Sequence, residues 1–165
     1  MHRIMIFGRP GSGKSTFALE AGKNLKLPVH HLDRYFYTHN WVEQDYPIFL
    51  KIQQDLVDQK NWIIDGNCIR SLEMRYKRAT IALYFNYPRL PCLGRIIRRI
   101  WNKNPHIKDR APNCPEQLSW KLIKHIWTMP QRIEATLPLL RKQYPHVLFY
   151  EINNDQDLKK IIKSF

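Results

Sequence analysis

The run Gly8-Arg9-Pro10-Gly11-Ser12-Gly13-Lys14-Ser15-Thr16 leaves the chain few ways to fold. The spacing G-x-x-x-x-G-K-[ST] is met by Gly8, Gly13, Lys14 and Ser15, with a further glycine at Gly11. A loop of this kind binds phosphate where it leaves a buried strand and enters a helix. Both flanks fit: Ile4-Met5-Ile6-Phe7 is apolar and of strand length, and Ser15 to Leu25 continues as a helix. Glycines let the backbone turn its N–H groups inward around phosphate oxygens, and the helix N-terminus adds partial positive charge. Lys14 would then reach the β- and γ-phosphates of ATP, and Ser15 would ligate Mg²⁺.

Apolar runs of strand length recur at 3–7, 29–33, 62–65, 81–85 and 147–152. Helical patterns fit between and after them, at 14–25, 42–59, 69–77, 89–102, 116–144 and 157–163. The alternation predicts an α/β domain with a parallel sheet and helices on both faces. Ligands of such sheets sit at the carboxyl ends of the strands, which here carry Asp33, Asp65 and Asn86. With 165 residues, no internal repeat and no linker-like composition shift, residues 1–165 read as a single domain. The segment 102–116, NKNPHIKDRAPNCPE, carries three prolines, has no apolar periodicity and is long for a plain connection. A mobile lid and an irregular surface loop both fit it.

Lys and Arg number 27 against 14 Asp and Glu, a formal charge of +13. That excess suits an anionic partner, either a phosphorylated small molecule or nucleic acid. Part of it is local: Arg89, Arg95, Arg98, Arg99, Lys103, Lys108 and Arg110 face only Asp109 within 89–110. No apolar run approaches a membrane span, and the N-terminus reads as a strand rather than a signal peptide. Cys68, Cys92 and Cys114 are too few and scattered for a disulfide framework or a zinc site, which fits a reduced, cytoplasmic compartment. His30-His31-x-Asp33 suggests a metal site, but adjacent strand residues point to opposite faces. Tyr35, Phe36, Tyr37, Trp41, Tyr46 and Phe49 suit either a ring-stacking wall or a small core, the fate expected for most of them.

In order, GRPGSGKST, HHLDRYFY, WIIDGN, YFNYPR and the arginine-rich helix after them resemble the DNA topology modulation proteins, which are adenylate-kinase-like P-loop proteins. The resemblance spans nearly the whole chain. It implies the fold of nucleotide and shikimate kinases: a P-loop NTPase fold with a five-stranded parallel sheet, order 2-3-1-4-5, between helices, and a small lid at about 102–116. It implies ATP and Mg²⁺ as cofactors, with ATP on Gly8, Gly11, Ser12, Gly13, Lys14, Ser15 and Thr16. Asp65, followed by Gly66, resembles the DG of nucleotide kinases and would hold Mg²⁺ through water beside Ser15; the other reading is a capping or turn aspartate. Asp33 lies where small-molecule kinases place a carboxylate that aligns the acceptor hydroxyl or takes its proton. Its other reading is again a turn residue.

Arg70 falls near where nucleotide kinases hold the acceptor's phosphate, at a spacing one residue longer. Arg95 and Arg99 share a helix face and match arginines that approach ATP as the lid closes, stabilising charge on the transferring phosphoryl group. Arg110 and Arg132 are further lid candidates, whereas Arg98 reads as part of a solvated face. One position departs from the pattern: relatives carry L-D-x-P-R, and this chain has Phe85-Asn86-Tyr87-Pro88-Arg89. Asn keeps hydrogen bonding without the negative charge. The expectation is an ATP-dependent small-molecule or nucleotide kinase with an unidentified acceptor, a monomer or weak dimer away from membranes. The alternative is a nucleic-acid-binding P-loop protein that uses ATP as a switch or not at all.

Overall fold

The computed structural model describes residues 1–101, 111, 114 and 120–162. The expected lid segment 102–116 and Arg110 lie outside the described residues, save Ala111 and Cys114, which are both buried. Five strands form one parallel sheet: β1 Arg3–Gly8, β2 Val29–His31, β3 Trp62–Asp65, β4 Ile81–Phe85 and β5 Leu148–Ile152. Their spatial order is β2-β3-β1-β4-β5, as expected. The helices are α1 Lys14–Leu25, α2 Asp33–Phe36, α3 Tyr46–Val57, α4 Leu72–Tyr76, α5 Arg89–Trp101, α6 Trp120–Glu134, α7 Leu137–Gln143 and α8 Asp155–Ile162, with a 3₁₀ turn at Ile69–Ser71 before α4. No helix among the described residues is long and apolar enough to cross a membrane.

The central strands are continuous apolar runs because both their faces are covered. Alternation along β1 sends Met5 and Phe7 into a core with Phe49, Trp62, Tyr76 and Met129, and Ile4 and Ile6 into one with Phe17, Ile63, Phe85 and Ile161. The first core lies under α3, α4, α6 and α7, the second under α1, α5 and α8.

Three elements differ from the sequence reading. The expected strand 29–33 ends at His31, because the Leu32 N–H donates to the Asp65 carbonyl at 2.8 Å and the Leu32 carbonyl then opens α2. Asp33 is therefore the first residue of a short helix rather than a strand end. The helix expected from 42 starts at Tyr46 instead, with Pro47 in its first turn, where a missing N–H costs nothing. Ahead of it, Tyr37 and Glu43 pair antiparallel around a tight turn in which Asn40 and Trp41 take φ of 45° and 61°. Within the described residues the long helix expected over 116–144 is broken into α6 and α7: Pro138 has no N–H to continue α6 and sits in the first turn of α7, where none is needed, whereas Pro130 is carried within α6.

At the end of β1, Gly8 has φ +134°, and a Cβ there would come within 2.3 Å of the Phe85 carbonyl oxygen on β4. That contact is with backbone and cannot swing away. Gly8→Ala should cost about 2–4 kcal/mol of stability, read as a lower urea midpoint with unchanged slope. A midpoint equal to that of the parent protein would show that β1 and β4 can spread here.

Candidate active site

The P-loop rises from β1 in the centre of the sheet and folds onto itself before α1 begins. The Gly8 N–H donates to Asn67 Oδ1 at 2.8 Å, and the Arg9 N–H to the Phe85 carbonyl at 2.9 Å, so both neighbouring strands hold its base. The Arg9 carbonyl accepts from Ser12 Oγ at 2.7 Å and from Lys14 Nζ at 2.9 Å. Gly11 and Gly13 take positive φ, and Gly13 opens α1 with no side-chain cap on its N-terminal amides. These donors are left for an anion, with no acidic residue in the first turn to compete. Thr16 is exposed beside them.

Burial pushes the Lys14 ammonium below the ordinary lysine range, while the charges of Asp65 and Asp33 pull it back up and Arg99 adds to the fall. Lys14 thus senses three other residues singled out in the sequence. Asp65 closes β3 and is 4% exposed. Its Oδ2 accepts from Ser15 Oγ at 2.8 Å and pairs with His31 Nδ1 at 3.0 Å. Its Oδ1 is buried without a partner. Burial alone would raise the Asp65 carboxyl, but the His31 bond, the Lys14 charge and the Ser15 bond outweigh it and hold it below the usual range. An ionised, half-satisfied carboxylate beside the P-loop serine hydroxyl suits a hydrated divalent cation. Ser15 and Asp65 therefore fit Mg²⁺.

Asp33 is exposed at the start of α2. Its charge reaches Lys14, Tyr37 and Arg75, and so bears on the P-loop and on the segment that follows β3. Arg75 is fully buried there, donating to the carbonyls of Gly66 at 2.6 Å and Cys68 at 2.8 Å, which ties the turn after Asp65 to α4. Burial lowers its pKa to about 10 against the opposing pull of Cys68, Asp65 and Asp33. Arg70 is exposed with its guanidinium 3.8 Å from the centre of the Tyr46 ring, on the same side of the sheet. Phe36 packs edge-on against Phe49 and Tyr37, and Phe49 is wholly buried. Of the six aromatics only Phe49 is buried in the core, against the expectation for most of them; Tyr35, Phe36 and Tyr46 are half-buried against it, and Trp41, edge-on against Tyr37, keeps 39% of its surface exposed.

Arg95 on α5 donates to the Ser12 carbonyl at 3.2 Å and to Asp155 on α8 at 3.0 Å, with its guanidinium 4.9 Å from the Tyr87 ring centre. It is a braced cation at the P-loop's flank. Arg99 lies one turn further along α5. Arg132 is exposed in the last turn of α6, a different helix that packs on α5. Asn86 donates to Glu151 Oε1 at 2.9 Å and accepts from Arg9 at 3.5 Å, so Glu151 supplies a negative charge beside the neutral amide.

Sequence reasoning assigned no site role to His31, Asn67, Arg75, Tyr87 or Asp155. All but Arg75, whose partners lie seven and nine residues away, act through a partner distant in the chain. For His31 a signal was available, because strand alternation separates it from His30, which pairs with Tyr35 Oη at 3.2 Å.

Strand order, P-loop and flanking helices together define the P-loop kinase fold. A scan against protein-family models finds no match, and a search of curated proteins finds none either. Solved structures do match. Shikimate kinase from Acinetobacter baumannii, solved with shikimate, shares 18% identity, covering 99% of this chain and 94% of that one, at a TM-score of 0.57. Deoxyadenosine kinase from M. mycoides with bound dATP shares 14%, with 99% and 98% coverage and a TM-score of 0.53. The YorR protein of Bacillus subtilis in complex with phosphorylated GDP shares 15%, with 98% and 94% coverage and a TM-score of 0.53. At these identities the likeness is one of fold.

Proposed function

We propose that the protein is an ATP-dependent kinase that transfers the γ-phosphate to a hydroxyl of a small-molecule or nucleotide acceptor. The observation that carries this reading is the phosphate-binding loop whose Ser15 donates to the buried Asp65 and whose Lys14 is buried beside it. A second carboxylate, Asp33, is exposed at the start of α2, and its charge acts on Lys14. A phosphate-binding loop that only held a nucleotide has no need of the second carboxylate.

In this reading Gly8–Thr16 bind the triphosphate, and Lys14 leaves the Arg9 carbonyl for the β- and γ-phosphate oxygens. Mg²⁺, held by Ser15 and Asp65, would neutralise charge on those oxygens. Asp33 orients the acceptor hydroxyl and accepts its proton as the oxygen attacks phosphorus. Arg95 and Arg99 flank the phosphates from α5, and Arg70 takes an anionic group of the acceptor. The segment 102–116, with Arg110, and Arg132 beyond it, would close over the site and exclude water, favouring transfer over hydrolysis. Nucleic-acid binding through the +13 charge is the lesser reading, because that charge alone accounts for neither the phosphate-binding loop nor the buried Ser15–Asp65 bond.

The test is incubation with Mg²⁺ and γ-labelled ATP against pools of nucleosides, nucleotides and hydroxylated metabolites. One pool should take up label in step with ADP formation. Tight ATP binding with no label transfer to any pool would remove the kinase reading.

A further inference from the structure

A divalent ion at Asp65 needs the carboxylate to present one particular oxygen, and a carboxylate on a strand end can rotate about its last torsion. Ser15 alone does not stop that rotation, because its hydroxyl follows whichever oxygen is near. His31 has no such freedom. It is carried on β2 directly opposite Asp65 in the parallel register, and only 5% of its surface is exposed. Its Nδ1 sits 3.0 Å from Asp65 Oδ2, the same oxygen that accepts from Ser15, so both bonds act on one side of the carboxylate. Oδ1 is left buried and without a partner. Two bonds to one oxygen and none to the other is costly in a buried anion unless a cation or its water shell completes the second.

We propose that His31 is the positioning residue of the metal site: by donating Nδ1–H to Asp65 Oδ2 it fixes the carboxylate with Oδ1 presented to Mg²⁺. The inference rests on the proposed ATP·Mg²⁺ reading of the same site. The three-residue strand β2 places His31 there, since a slip of one residue would turn His30 towards Asp65 and His31 away. His31 does not touch nucleotide or acceptor in this role. It acts through Asp65, as the hydrogen-bond partners of metal ligands commonly do.

The test is equilibrium binding of a fluorescent ATP analogue, titrated without metal and then with rising Mg²⁺, on the parent protein, His31→Asn, His31→Gln and His31→Leu. Asn carries its amide donor near the position of Nδ1, whereas Gln carries it near Nε2 and Leu has none. The Mg²⁺ concentration for half-maximal enhancement should rise by about 10–100-fold in His31→Gln and His31→Leu and change little in His31→Asn. Affinity for the metal-free analogue should stay level across the set. If His31→Leu does not fold, the contrast between Asn and Gln carries the same test. Equal Mg²⁺ dependence in the Asn and Gln variants, or a parallel loss of metal-free binding, would overturn the assignment. A parent protein that fails to bind the analogue at all would instead bring down the ATP reading, and this inference with it.

Discussion

Replacing Lys14 with alanine should weaken ATP binding by about 10-fold or more and cut phosphate transfer by about 100–1,000-fold, while the fold survives. The ammonium is 8% exposed and rests on one backbone carbonyl, that of Arg9. Burial already works against its charge, so removing it relieves a desolvation cost rather than breaking a needed ion pair. What is lost, in the proposed reading, is a fixed cation placed to meet the β- and γ-phosphates. Calorimetric titration with ATP, turnover and a circular dichroism melt separate these effects. A folded variant that binds and turns over ATP like the parent protein would show that the loop is not the nucleotide site.

The second large effect belongs to Asp33. Asp33→Asn removes charge and basicity at nearly constant shape, so ATP affinity should change by less than about twofold while transfer to the acceptor falls by about 100-fold or more. Asp65→Asn should behave differently and raise the Mg²⁺ requirement, because its carboxylate is bonded to Ser15 of the loop. The two variants therefore part along separate axes, acceptor transfer for one and metal dependence for the other. If Asp33→Asn transfers phosphate normally, Asp33 is only the residue that opens α2, and the acceptor assignment fails.

Much of the sheet was legible because its signals are local. Continuous apolar runs marked strands buried on both faces, and glycine spacing marked the loop between β1 and α1. Proline was the source of two errors, at Pro47 and Pro138, where apolar periodicity runs on through a residue that resets the helix. Of the site candidates, Lys14 and Ser15 stood out by glycine spacing, Asp65 by its place at a strand end, and Arg95 by resemblance. Their partners did not: Ser15 meets Asp65 across 50 residues, and Arg95 meets Asp155 across 60. Such pairs exist only once parallel strands bring their carboxyl ends together, and no periodicity encodes them. Asn86 shows the same limit. It lacks the negative charge of aspartate, yet the fold sets Glu151 of the neighbouring strand against its amide.

The central claim is that ATP's γ-phosphate leaves the P-loop for an acceptor held beside Asp33 rather than for water. The most direct measurement follows both products at once, by phosphorus NMR of Mg²⁺·ATP turning over with the acceptor pool that screening selects. Phosphorylated acceptor should appear one for one with ADP, with inorganic phosphate a minor product, and Asp33→Asn should suppress that signal while ATP stays bound. ADP accompanied by inorganic phosphate alone, at the same rate with or without the acceptor and with or without Asp33, would contradict the account.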